Sequence, residues 1–166
     1  MSIRWSATSR SWAAVAALPE TQLDDALQRL VDAELLYQIG TPPEARYSFK
    51  HALVRDVAYA TMLNSRRQRL HARIVWVLEA QFPNLVLNQP QILAQHCSEA
   101  GLVTEAIEYW RQAGLAAARR SALREAEILL RRGLELLQQL PESLDRAARE
   151  LELQVALGAA LLAAKG

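Results

Sequence analysis

Cysteine is nearly missing from this chain: among 166 residues Cys97 stands alone. One thiol excludes an intrachain disulfide and a thiolate-rich zinc site, and it fits a reducing compartment. The simplest role for Cys97 is that of a small buried apolar residue. Glycine and proline are scarce as well, six of each, so little in the chain favours long irregular structure. Neither sign of charge is in surplus, with 19 Lys and Arg against 18 Asp and Glu. That balance removes any global field for nucleic acid or anionic lipid and leaves only local patches to supply one. No apolar run approaches the roughly 20 residues that span a bilayer, so no membrane association is expected. The start "MSIRWSATSRSWAAVAAL" imitates a signal peptide faintly, with Arg4 and Arg10 before a brief apolar stretch, but acids follow at once. A cytoplasmic location is the expectation.

Catalytic motifs are missing too. The sequence has no Gly-rich phosphate loop ending in Lys-Ser/Thr, no Gly-x-Gly-x-x-Gly and no Gly-x-Ser-x-Gly. His51, His71 and His96 are far apart, and no His-x-x-x-His pair gives a metal two ligands on one helix face. The expectation is a chain with no catalytic residues, no metal site and no cofactor of its own.

What remains is 51% apolar, rich in Leu and Ala, the composition of a mainly helical fold in one domain or two small ones. Residues 1–11 show no periodicity and read as a loose start. In "LPETQLDDALQRLVDAELL" the residues Leu23, Ala26, Leu27, Leu30 and Val31 follow helical spacing, with Pro19 and Glu20 suiting a helix N-terminus. "ELLYQI" and "RYSF" favour strand and are separated by "GTPPEA", which predicts a β-hairpin. "KHALVRDVAYATML" carries Leu53, Val54, Val57 and Ala58 on one stripe. Asn64 or Ser65 can then cap a helix holding Leu70, Ile74, Val77 and Leu78. Helix, helix, hairpin, helix is the order of a winged helix, here partial, over residues 12–82.

Residues 83–90 read as a connector, being bounded by prolines. From there to residue 166, helices alternate with short punctuation at 91–100, 103–119, 122–140 and 143–164, which predicts antiparallel helical hairpins in an α-solenoid. "TEAIEYWRQAG" and "REAEILLRRGL" echo each other with Glu-Ala at the same phase. Ala106 and Ala126 let helices approach, and Trp110 is expected in the core between them; Trp76 is expected to pack as well. The stretch "AGLVTEAIEYWRQA" resembles the second half of a tetratricopeptide repeat, and Leu93 and Ala94 fall where that repeat wants a Leu-small pair.

The last helix carries two apolar lines, one through Leu144, Ala148, Leu151, Val155, Gly158 and Leu162 and one through Leu153, Leu157 and Leu161. One line can face the preceding helix; the other needs a partner. Leu153, Leu157 and Leu161 are the expected uncovered line, so self-association is expected. The run "RRQRLHAR" gives a second candidate surface in Arg66, Arg67, Arg69 and Arg73, read as a solvated or protein-binding face ahead of a nucleic-acid one.

His51 is the remaining candidate. Residue chemistry favours a structural histidine packed near a helix N-terminus, and catalysis lacks a partner because Asp56 lies five residues on and points elsewhere.

Taken together, "LVDAELLYQIGTPPEARYSFKHALVRDVAYATMLNSRRQRLHARI" and "LAQHCSEAGLVTEAIEYWRQAGLAAARRSA" resemble the region that follows the ATPase module in bacterial signalling proteins of the STAND class. The likeness is to the multidomain class III adenylate/guanylate cyclases that carry an AAA-type ATPase and tetratricopeptide-like repeats. The resemblance implies a winged helix closing over nucleotide bound upstream, with His51 in "FKHALV" as the group that senses the diphosphate. ATP or ADP would belong to that upstream domain, and the partner would be a protein or the remainder of a larger signalling protein. Two other readings are a winged-helix transcription regulator on DNA and the tail of a cyclase or ATPase whose catalytic domains lie elsewhere. Glu20, Asp24, Asp25, Asp32 and Glu34 against Arg29 alone make the presumptive recognition helix a poor match for phosphate.

Overall fold

The computed structural model describes residues 9–42 and 45–165. The chain is mainly helical, with, among the described residues, a single two-stranded antiparallel hairpin followed by helical hairpins, as the sequence predicts. It divides into two compact units, residues 1–73 and 74–166. The division falls inside a helix, ahead of the proline-bounded segment 83–90.

In the first unit α1 (Ser9–Ala16) packs on α2 (Glu20–Asp32). The expected loose start lies outside the described residues up to residue 8. Pro19, with φ of −55°, and Glu20 open α2 as a fixed φ and a negative charge should. The strands β1 (Leu36–Ile39) and β2 (Arg46–Phe49) pair with Leu36 opposite Phe49 and Ile39 opposite Arg46. Among the described residues of this unit, Ala13, Val15, Leu23, Leu36 and Ala45 are buried apolar residues. The hairpin leads into α3 (Ala52–Ala60) and then α4 (Asn64–Gln81).

In the second unit residues 83–90 do not form an open connector: α5 (Pro83–Asn88) occupies them, and Pro90 begins the next helix. Proline is at home in a first helical turn, where its missing N–H has no acceptor to lose. The succession α6 (Pro90–Ala100), α7 (Val103–Arg119), α8 (Leu123–Leu137) and α9 (Leu144–Lys165) follows, each helix packed against the one before it.

The 20-residue echo in the sequence has a backbone counterpart. Gly101 at the end of α6 takes φ of 77°, and the Leu102 N–H donates to the Cys97 carbonyl at 2.9 Å. Twenty residues on, Ser121 takes φ of 60° and the Ala122 N–H donates to Ala117 at 3.0 Å. Both turns close a helix through one left-handed residue, a conformation that glycine adopts without strain. Each turn then sends a Glu-Ala pair into the next helix, and Ala106 and Ala126 are both fully buried.

Candidate functional site

His51 stands at the N-terminus of α3 with extended backbone, φ −125° and ψ 124°, and its side chain makes no capping hydrogen bond. It is exposed, which overturns its expected packing in the core. The hairpin delivers it there: the Lys50 N–H donates to the Leu35 carbonyl at 3.0 Å and ties the end of β2 back to the residue before β1. None of the residues of α3 is fully buried either. Leu53 and Val57, one turn apart, are exposed, and so is Leu63 in the following turn.

The run of arginines divides by role. Arg66, Arg69 and Arg73, at spacings that share one helix face, are exposed. Arg67 turns inward. Its guanidinium lies 4.7 Å from the centroid of the Tyr59 ring and donates to Asn64 Oδ1 at 3.0 Å, a stacked cation rather than a free one. Beneath it the Tyr59 hydroxyl lies 3.0 Å from Nε2 of the buried His71, with the rings edge to face. This Tyr59, His71, Arg67 cluster fastens α3 to α4. The sequence marks it only as an aromatic 12 residues before a histidine, with a tight turn between.

An apolar groove of about 220 Å³ lies between α2 and the hairpin, walled by Leu23, Leu27, Leu30, Leu36, Tyr47 and Phe49.

In the second unit Trp110 is buried, as its spacing with Ala106 and Ala113 predicts. Its indole N–H donates to Ser98 Oγ at 3.1 Å, and Arg132 stacks 5.0 Å from its ring centroid. These groups, with Gln95, Glu135 and Gln139, border a groove of about 250 Å³. Trp76, expected to pack, is exposed, because Val75, Val77 and Leu78 take the inward positions of α4. Cys97 is fully buried, and burial, with Glu79 and Glu105 nearby, pushes its thiol up to about 12. It is therefore a packing residue and not a nucleophile.

The two apolar lines of α9 are assigned the opposite way from the expectation. Leu153 is fully buried and Leu157 nearly so, with Leu161 packed against the same cluster as Ile107, Leu130 and Leu137. They are core, not an interaction surface. The open line is the other one: Leu144 is 89% exposed, Leu151 63%, Val155 64% and Leu162 75%. The physical reason is a pair of glycine notches. A Cβ at Gly114 would lie 2.5 Å from Leu130 Cγ, and one at Gly133 would lie 3.1 Å from Leu153 Cδ2. Leu130 of α8 thus fills a notch on α7, and Leu153 of α9 fills a notch on α8, which rotates the Leu153 line inward. Gly158 on α9 has nothing within 4 Å of the same position.

Among the described residues no group of three or more His, Cys, Asp or Glu side chains could hold a metal ion. No helix among them is long and apolar enough to cross a membrane.

No protein-family model and no solved structure matches the chain. A similar protein is an uncharacterised one from Rhizobium meliloti (strain 1021), 32% identical over 154 residues, which cover 91% of this chain. The chain spans about 15% of that relative's length.

Proposed function

We propose that this chain is a non-catalytic regulatory and protein-interaction segment of a bacterial STAND-type signalling protein, whose chemistry resides on other domains. The observation that carries the reading is α3: a helix with Leu53 and Val57 on one stripe that buries none of its residues and begins at the exposed His51. Leaving such a stripe in water forgoes roughly 25 cal/mol for each Å² of apolar surface. The arrangement is economical where another domain covers it.

In this reading residues 12–82 are a partial winged helix and residues 91–166 a tetratricopeptide-like array, in the cytoplasm. The covering domain is the nucleotide module of the complete protein. A helix N-terminus with a donor side chain is a good neighbour for phosphate oxygens, so His51 senses the diphosphate held by that module. ATP or ADP belongs there, because a single histidine at a helix end does not retain a nucleotide. The exposed Arg66, Arg69 and Arg73 extend the same docking surface toward acidic protein groups. A signal received at the array then biases the switch through differential contact with its two states. The much greater length of the Rhizobium meliloti relative is in keeping with a segment of a large protein.

The test begins with the coding frame continuous with Met1. A Gly-rich phosphate loop upstream is the expected finding, and a frame that closes before any such loop overturns the reading. In the protein expressed from that longer frame, His51→Ala is expected to speed ADP release about tenfold, the effect of losing one charge-assisted hydrogen bond. Leu53→Glu is expected to do the same by undocking α3.

A further inference from the structure

We propose that the open face of α9 is the docking surface for a second copy of this chain, joined as a symmetric antiparallel helix pair. The inference rests on α9 alone and is independent of the nucleotide-switch reading.

Within the second unit, helices join by one repeated device. Leu130 of α8 plugs Gly114 of α7, and Leu153 of α9 plugs Gly133 of α8. Gly158 is a third notch with no plug. Around it the exposed Leu144, Leu151, Val155 and Leu162 form a continuous stripe on the side of α9 away from its buried Leu153 and Leu157.

The stripe is complementary to itself. A two-fold interface needs each surface to carry both the knob and the hole that receives the partner's knob. Leu151 and Gly158, seven residues apart, lie within about 20° of each other around the helix, on the same side of the stripe. An antiparallel two-fold pairing sets each side of one stripe against the same side of the other.

The register follows from setting each knob against the open position of the other copy. With the two-fold axis midway between residues 154 and 155, the two α9 helices run side by side in opposite directions. That same register places Leu151 of each copy opposite Gly158 of the other, filling both notches, and brings the two Val155 side chains together at the axis.

Charge agrees with this arrangement. The N-terminal half of α9 carries Asp145, Arg146, Arg149, Glu150 and Glu152, while residues 155–164 carry no charge. Antiparallel pairing sets each charged half against an uncharged one, so no like charges oppose. Parallel pairing would align each charge with its own copy.

The extent of the contact sets its strength. A 22-residue helix is about 33 Å long. A single helix seam is a small contact as specific interfaces go, so the expected dimer is reversible and concentration-dependent.

Sedimentation velocity across the micromolar range tests the proposal, with circular dichroism confirming that each variant is folded. The expected result is a concentration-dependent monomer–dimer equilibrium. Leu151→Glu is expected to weaken it by about tenfold or more, because it puts a charge into each notch. Gly158→Leu separates a fitted joint from general stickiness. It enlarges the apolar surface and improves the helix, so an unspecific patch would bind tighter, whereas a filled notch excludes Leu151 and weakens the dimer. A chain that stays monomeric throughout overturns the proposal and leaves the face to a different occupant. A dimer unaffected by Leu151→Glu, or strengthened by Gly158→Leu, overturns it equally.

Discussion

Leu130 of α8 reaches so far into Gly114 of α7 that a Cβ there would lie 2.5 Å from its Cγ and 2.7 Å from its Cδ2. Leu130 is fully buried in a close-packed cluster. At Gly133 the corresponding distance to Leu153 is 3.1 Å, and at Gly158 the space is open.

These three glycines form a graded series. Alanine in a helix interior gains about 0.5–1 kcal/mol over glycine, and overpacking a core costs about 1–3 kcal/mol. Gly158→Ala is expected to raise the melting temperature of the second unit. Gly114→Ala is expected to lower it, and Gly133→Ala to fall between them. Thermal unfolding by circular dichroism gives the order, and any other order would mean that the notches do not govern the packing.

Leu153→Ala is expected to cost about 2–5 kcal/mol as a cavity mutant in a close-packed cluster. Leu151→Ala, two residues away on the exposed line, is expected to stay within about 0.5 kcal/mol of the parent. Denaturant unfolding of the two variants at low protein concentration, where α9 is unpaired, checks which line faces inward.

Tyr59→Phe keeps the edge-to-face ring and the surface beneath Arg67 but deletes the hydroxyl 3.0 Å from His71 Nε2. The expected loss is about 1 kcal/mol, the usual net contribution of one hydrogen bond. It should appear as faster hydrogen exchange along α3 and the start of α4, with the second unit unaffected.

Cys97 and Tyr109 predict alkaline sensitivity. Burial raises both, the thiol to about 12, and Tyr109 is raised further because its hydroxyl donates to Glu79 at 2.7 Å. Each group is neutral in the folded state at a pH where the unfolded chain already ionises. Their contribution is complete below the ordinary thiol value of about 9 and is lost as pH rises toward the folded-state values. Melting temperature followed from about pH 8 to about pH 11 should therefore fall steadily. Cys97 should also resist alkylation until the chain is unfolded.

ADP or ATP added to this chain alone is expected to leave its melting temperature unchanged, since mass-action stabilisation requires a site that binds the folded state. A saturable increase would assign a nucleotide site to these residues.

The parts of the fold that were legible in sequence are those set by local chemistry. Pro19 and Glu20 mark the start of α2, Gly101 marks the end of α6, and "LYQI" and "RYSF" around the prolines give the hairpin. The orientation of α9 was not legible from its periodicity, because two apolar lines on one helix fit either face inward. The deciding feature, the notch at Gly133, lies on the neighbouring helix and acquires meaning only when the two are packed together. The open position of His51 escaped for a similar reason: α3 has an apolar stripe, and a stripe in sequence does not say whether anything lies against it.

The joints at Gly114 and Gly133 also have a mechanical consequence. Each one couples a helix to its immediate neighbour, and α9 meets α7 only sparsely. Tension applied through α9 would therefore strain the Leu153 joint first, and because Leu153 and Leu130 share one buried cluster with Ile107 and Leu137, its release would also loosen the seat of Leu130 and let the remaining helices part together.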